Sequence, residues 1–191
     1  LLTGKSLVVG GTHQVHNIDE DIQYGDLSAV LMQNTLFWGH WIRTPDLSIA
    51  LLDEWESKIE QLAKSTINEN VTSLAGVPTW TIILIKRILE ISGKKTLKEV
   101  WPNLELYMHG GVSFTPYREQ VSRLIGAPIN YLEIYNASEG FFAAQNMPDD
   151  ESLLLFTDHG IFYEFLPAEE YKKPNPKTIG LKEVELHKNY A

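Results

Sequence analysis

The sequence contains no cysteine. That excludes disulfide staples, a thiolate zinc site and a cysteine nucleophile. No apolar run approaches the roughly 20 residues that span a bilayer, so no membrane partner is expected. Positive charge is scarce: 16 Lys and Arg stand against 25 Asp and Glu, a net charge of −9. A nucleic-acid groove needs a basic surface to meet the phosphate backbone, so no nucleic-acid partner is expected. The deficit does not bar a single nucleotide, which Mg²⁺ and backbone amides can hold. No secretion signal is visible, so Asn70-Val71-Thr72 and Asn136-Ala137-Ser138 are chance matches to the glycosylation tripeptide. A soluble cytoplasmic protein is the expectation. The chain begins at Leu1 without methionine and stops in a strand-like Val184 to Ala191 stretch. It reads as a piece of something longer.

With 43% hydrophobic residues over 191 positions, the chain can bury a substantial core. Ser6-Leu7-Val8-Val9 reads as a strand ending at Gly10-Gly11. In Thr12 to His16, His13 and His16 are spaced for a metal on a helix, but the glycine pair beside them favours a loop and no third ligand is evident. Asn17 to Tyr24 reads as an acidic loop, and Gly25 to Gln33 as a short buried helix. Phe37, Trp38 and Trp41 read as core. Thr44-Pro45 reads as the start of a helix of about five turns, with Leu47, Leu51, Trp55, Ile59 and Leu62 on one face and a solvated charged face opposite. Val71 to Ala75 reads as a strand, turned by Gly76-Val77-Pro78-Thr79 into a helix from Trp80 to Ile91. Thr96 to Trp101 is a helical turn. Leu104 to Met108 is another strand, breaking at His109-Gly110-Gly111, and Tyr117 to Leu124 a further helix. Strand, turn and helix thus recur, which is the pattern of an α/β fold with a mostly parallel sheet flanked by helices. Leu153 to Thr157, Asp158-His159-Gly160 and Ile161 to Leu166 then carry a β-hairpin signature near the C-terminal end.

The remaining stretch is chemically the richest. Asn130 to Ile134 is a strand that breaks into Tyr135-Asn136-Ala137-Ser138-Glu139-Gly140. In open α/β sheets ligands bind at the carboxyl ends of strands. A ring, a small backbone, a hydroxyl and a carboxylate in five positions can hold a nucleotide: ring on base, backbone and hydroxyl on phosphate, carboxylate on Mg²⁺. The same residues also suit a plain strand-to-loop junction with a surface glutamate.

Three turns in this order resemble those of the adenylate-forming superfamily of acyl ligases. They are Val71-Thr72 with Val77-Pro78-Thr79, Gly110-Gly111-Val112, and Tyr135 to Glu139. More narrowly the chain resembles the microbial branch of the Gretchen Hagen auxin-responsive family of acyl-acid amido synthetases. Val9 to Gln14, Tyr24 to Ala29, Gly76 to Trp80, Trp101 to Glu105, His109 to Phe114, Tyr135 to Phe142 and Gly160 to Phe165 carry that likeness. The resemblance implies that residues 1–191 are the central segment of one large N-terminal adenylate-forming domain. The serine- and threonine-rich phosphate loop would lie upstream, and the ribose-holding motif and mobile C-terminal domain downstream.

The resemblance also implies chemistry: ATP and Mg²⁺ as cofactors, with a small carboxylic acid and an amino acid as substrates. Ser138 and Glu139 would be catalytic, Ser138 on the α-phosphate and Glu139 on the metal. Tyr135 would pack on adenine, with Asn136, Ala137, Gly110 and Gly111 lining the nucleotide. Val77, Pro78 and Trp80 would border the acyl pocket. His109 would touch substrate or serve as a hydrogen-bonded structural histidine. Tyr135 and Glu139 are expected to share one hollow with the twin-glycine bend. An acyl-CoA-type ligase of the same superfamily and a non-catalytic small-molecule binding module are the alternatives. Isolated, the segment is expected to be inactive.

Overall fold

The computed structural model describes residues 3–10, 15–19, 22–147 and 150–191. They fall into two compact units, residues 1–155 and 156–191. In chain order the first unit contains β1 (Lys5–Val9), β2 (Val15–Asn17), β3 (Gln23–Gly25), α1 (Leu27–Gln33), α2 (Gly39–Ile42), β4 (Arg43–Thr44) and α3 (Leu47–Ala50). It continues with α4 (Trp55–Thr66), β5 (Val71–Gly76), α5 (Pro78–Ser92), α6 (Leu97–Val100), β6 (Leu106–Gly110), α7 (Thr115–Ile125), β7 (Asn130–Ala137), β8 (Gly140–Ala144) and β9 (Leu154–Leu155). Seven strands form one sheet in the order β4-β1-β5-β6-β7-β8-β9. The first five run parallel, and β8 and β9 close the edge antiparallel. This is the mostly parallel α/β sheet that the recurring strand–turn–helix pattern predicts.

Parallel strands joined by right-handed helical crossovers deliver their helices to one face. Here α4 packs on α5 and α5 on α7. Ile59 and Leu62 of α4, Ile85 and Ile88 of α5, and Val121 and Ile125 of α7 join Leu7, Val71, Leu74 and Tyr107 in one core. Helix α5 begins with Pro78 at its first turn, where a missing N–H is harmless, and stops at Gly93. Trp101, Leu104 and Phe114 seal the layer. The Trp101 Nε1–H donates to the Thr66 carbonyl at 2.9 Å, tying the end of α4 to the loop before β6.

Four local expectations change. The five-turn helix after Pro45 is two helices, because Glu54 caps a new start: its carboxylate accepts from the Glu56 and Ser57 amides at 2.9 and 2.5 Å. Thr44 is a buried strand residue paired with Leu7, and not a cap. At the ends of the stretch read as an acidic loop, Asn17 pairs with Gln23 and His16 with Tyr24 in the antiparallel pair of β2 with β3. Phe37, Trp38 and Trp41 are 73%, 49% and 71% exposed, and so are not core; Phe37 and Trp41 meet edge to face at 5.9 Å. The reading of His13, with Gly11, Thr12 and Gln14, falls outside the described residues. His16 lies on β2 with its ring against Tyr24.

The second unit carries the antiparallel pair expected near the C-terminal end. It is β10 (Glu164–Phe165) against β11 (Ile179–Gly180), Glu164 opposite Gly180. Its strands are not those the turn chemistry selects, for Leu154–Leu155 instead extends the β8 edge. An open sheet edge offers unpaired backbone groups that a passing segment satisfies. Leu166 and Ala191 exchange backbone hydrogen bonds at 2.9 and 2.8 Å, which ties down the last residues.

Candidate functional site

Strands β1, β5, β6 and β7 all point their carboxyl ends the same way, and a cleft of about 350 Å³ opens there. Val9 and Gly10 end β1, Ala75 and Gly76 end β5, Gly110 and Gly111 end β6, and Asn136 comes from β7. Such a carboxyl-end crevice is the general ligand position in open α/β sheets. The Tyr107 hydroxyl braces its floor by donating to the Gly76 carbonyl at 3.0 Å. Burial pushes that phenol up to about 12, so it stays a donor. Gly110 is needed for close approach: a Cβ there would meet the Ile134 carbonyl oxygen of the neighbouring strand at 2.4 Å. Gly111 is needed for conformation, bending the chain at φ 80°.

Six of the residues singled out in the sequence line this cleft: Val77, Trp80, His109, Gly110, Gly111 and Asn136. A second cleft of about 380 Å³ shares Ile134 and Asn136 with it and adds Ala137 and Ser138, with Leu27, Leu31 and Phe141 as apolar walls. The remaining three line neither. Pro78 is buried inside the first turn of α5. Tyr135 is 55% exposed and packs on Phe142, ring centroids 5.1 Å apart. Glu139 is exposed at the turn between β7 and β8, flanked by two residues of the second cleft, Ser138 and Gly140.

Thus Asn136, rather than Tyr135 or Glu139, shares the hollow with the twin glycines. The reason is that β7 continues to Ala137 instead of breaking at Ile134. Strand alternation then sends Ile134 and Asn136 to the cleft and Tyr135 away from it. The turn shrinks to Ser138 and Glu139, between the paired Ala137 and Gly140.

His109 is 2% exposed, and its Nδ1 is buried without a hydrogen-bond partner. Its ring stacks on Phe114 with centroids 4.0 Å apart. Burial, and secondarily the Arg118 guanidinium, lower its imidazole to about 4, so it is neutral at pH 7.

Two contributors escaped the sequence reading. Lys58 is 1% exposed and reaches from α4 to the end of β1, where Nζ donates to the Gly10 carbonyl at 2.7 Å. Burial lowers its ammonium, partly offset by Asp26 and Asp53. Its signal was its place in the apolar stripe between Trp55 and Leu62, where a solvated lysine does not belong. Asp26 caps α1 by accepting from the Ala29 amide at 3.0 Å, and it lines the first cleft with Ser28.

The GH3 family N-terminal domain matches residues 5–129, and the GH3 family central domain matches residues 154–191. No curated protein matches the sequence. Among solved structures, the chain is similar to the GH3.15 acyl acid amido synthetase, with a TM-score of 0.69 at 12% identity over 99% of this chain and 42% of that one. It is also similar to AtGH3.15 acyl acid amido synthetase in complex with 2,4-DB, with a TM-score of 0.65 at 15% identity over 98% of this chain and 41% of that one. The chain therefore spans less than half the length of either, and at such identity the likeness concerns the fold. On the family match, which runs over most of its length, the chain belongs to the GH3 family.

Proposed function

We propose that this chain is the central segment of an ATP-dependent acyl acid amido synthetase, which adenylates a carboxylic acid and joins it to an amino acid. The observation that carries the proposal is the cleft at the carboxyl ends of β1, β5, β6 and β7, where three separate turn motifs converge. In the first half-reaction a carboxylate oxygen attacks the α-phosphorus of ATP. The bond to the β-phosphate breaks, and pyrophosphate leaves with the electron pair. In the second, an amine nitrogen attacks the acyl-adenylate carbonyl, AMP leaves with the pair of the broken C–O bond, and the nitrogen gives its proton to solvent. Such chemistry asks the protein mainly for positioning and charge stabilisation.

The backbone of Gly110 and Gly111 borders the space for a flat base or acyl group, and Asn136 and Ala137 form the adjoining wall. Ser138 offers a hydroxyl to the α-phosphate, and Tyr135 a ring at the rim of the nucleotide site. Val77, Pro78 and Trp80 shape the acyl side. Among the described residues no cluster of three or more His, Asp or Glu could hold a metal alone. Mg²⁺ needs no such cluster, since one or two carboxylates plus substrate phosphates commonly bind it. Glu139, exposed and in no ion pair among the described residues, fits that role. When bound, the ion would offset charge on the phosphates. The phosphate loop and the ribose-holding motif would come from other parts of the protein.

The test is acid-dependent exchange of pyrophosphate into ATP by the whole protein, across a panel of carboxylic acids, followed by addition of amino acids or coenzyme A. Amide products are expected. Thioester products would move the protein to the acyl-CoA ligases, and no exchange with any acid would leave only a binding module.

A further inference from the structure

A third cavity, of about 220 Å³, lies where the start of α7 faces β6 and β7. Its lining includes His109, Phe114, Thr115, Arg118, Glu133 and Glu151. His109 also lines the first cleft, so one residue is common to the two spaces. His109 and Glu133 sit opposite each other in the β6–β7 register.

The cavity holds charges of both signs that are not matched to one another. The Arg118 guanidinium lies 5.6 Å from the Phe114 ring centre and 5.3 Å from that of Tyr131, within cation–π range of both. Among the described residues Arg118, Glu133 and Glu151 take part in no ion pair. The Thr115 amide opens α7, where the helix dipole favours an anion. The buried Nδ1 of His109 has no partner. Glu133 and Glu151 would repel a simple anion, and Arg118 a simple cation. A zwitterion answers both. At roughly 30 Å³ per water the space equals about seven waters, enough for the charged head of an amino acid and a short side chain.

We propose that this cavity receives the amino acid acceptor, its α-carboxylate at Arg118 and the first turn of α7, its ammonium at Glu133 and Glu151. The inference rests on the amido synthetase reading. The neutral His109 imidazole marks the side on which the amine adjoins the cleft. An amine lacking the carboxylate loses the Arg118 contact, so the subsite selects amino acids over simple amines.

The test measures equilibrium binding of each of the twenty amino acids to the whole protein, unmodified and as Arg118→Gln or Glu133→Gln. For the tightest binder, Arg118→Gln is expected to raise Kd on the order of tenfold to a hundredfold, the usual range for a hydrogen bond to a charged group. The decarboxylated amine should bind the unmodified protein equally weakly. In amide formation the KM for amino acid should rise by the same factor, with kcat at saturation retained. Arg118 is exposed, and an unchanged circular dichroism spectrum shows that its replacement leaves the fold intact; Glu133→Gln provides the second, independent loss. Undiminished binding in both variants, or no amino acid binding at all, overturns the subsite. If the unmodified protein forms no amide with any acid, the ligase reading fails instead, while the binding measurement still decides the subsite.

Discussion

The two glycines of the β6 turn give the sharpest prediction, because they are glycine for different reasons. At Gly110 an added Cβ would sit 2.4 Å from the Ile134 carbonyl oxygen and 3.1 Å from Ile134 Cγ1. That is about 1 Å short of the 3.4 Å at which ordinary contact begins, and the obstacle is backbone. Gly110 and Ile134 are register partners, so relief requires β6 and β7 to part at the mouth of the cleft. Overpacking typically costs about 1–3 kcal/mol, and a rigid obstacle puts Gly110→Ala at the upper end, about 3 kcal/mol. At Gly111 the nearest atom to an added Cβ is Val77 Cγ2 at 3.4 Å, so space is available. Only its φ of 80° opposes a side chain, at about 1–2 kcal/mol. Asparagine tolerates that region, so Gly111→Asn should cost less than Gly111→Ala. Urea unfolding of the three variants beside the parent protein measures all of this. A Gly110→Ala variant within about 0.5 kcal/mol of the parent, or one more stable than Gly111→Ala, would refute the close-approach argument.

Three further outcomes are expected. Glu139→Gln in the whole protein should slow pyrophosphate exchange by roughly a hundredfold, the scale of losing one charge-stabilising group, with the unfolding midpoint unchanged; undiminished exchange removes Glu139 from the metal role. His109 has its pKa depressed from 6.5 to about 4 in the folded state. The unfolded chain therefore binds the extra proton first, and stability that is complete above pH 6.5 is lost as pH falls toward 4. NMR titration should find the ring neutral down to about pH 4, and His109→Phe should flatten the stability profile over that window; a ring titrating near 6.5 contradicts the burial argument. Trp101→Phe removes the buried Nε1–H donation to the Thr66 carbonyl and should cost about 1–3 kcal/mol in the same urea assay, whereas a neutral result would show that the loop relaxes to repair it.

Much of the fold was legible because local chemistry and global demand agree. The apolar run Val71–Ala75 and the glycine after it are local signals that β5 uses as read, whereas the helix read from Trp80 starts at Pro78 and the strand read over Leu104–Met108 runs from Leu106 through His109 to Gly110. The reading erred where a distant partner outweighed a local preference. The hydrophobic stripe ran on through Leu51 and Trp55, yet the Glu54 carboxylate starts a new helix there. Leu154–Leu155 had a turn ready after it and went to the β8 edge instead.

For the site, sequence alone determined the turns and their chemistry: glycines at the ends of strands, a hydroxyl and a carboxylate following a strand, and no thiol anywhere. Tertiary structure decided which of those side chains meet. Three more residues of strand in β7 bring Asn136 to the cleft and leave Tyr135 and Glu139 outside it. Only packing shows that Lys58 leaves water to hold the Gly10 carbonyl, and that Arg118 and Glu133 share a cavity. The physical reason is that hydrogen bonding and helix or strand periodicity act over a few residues, whereas a cavity is made by segments that are neighbours only after the chain has folded.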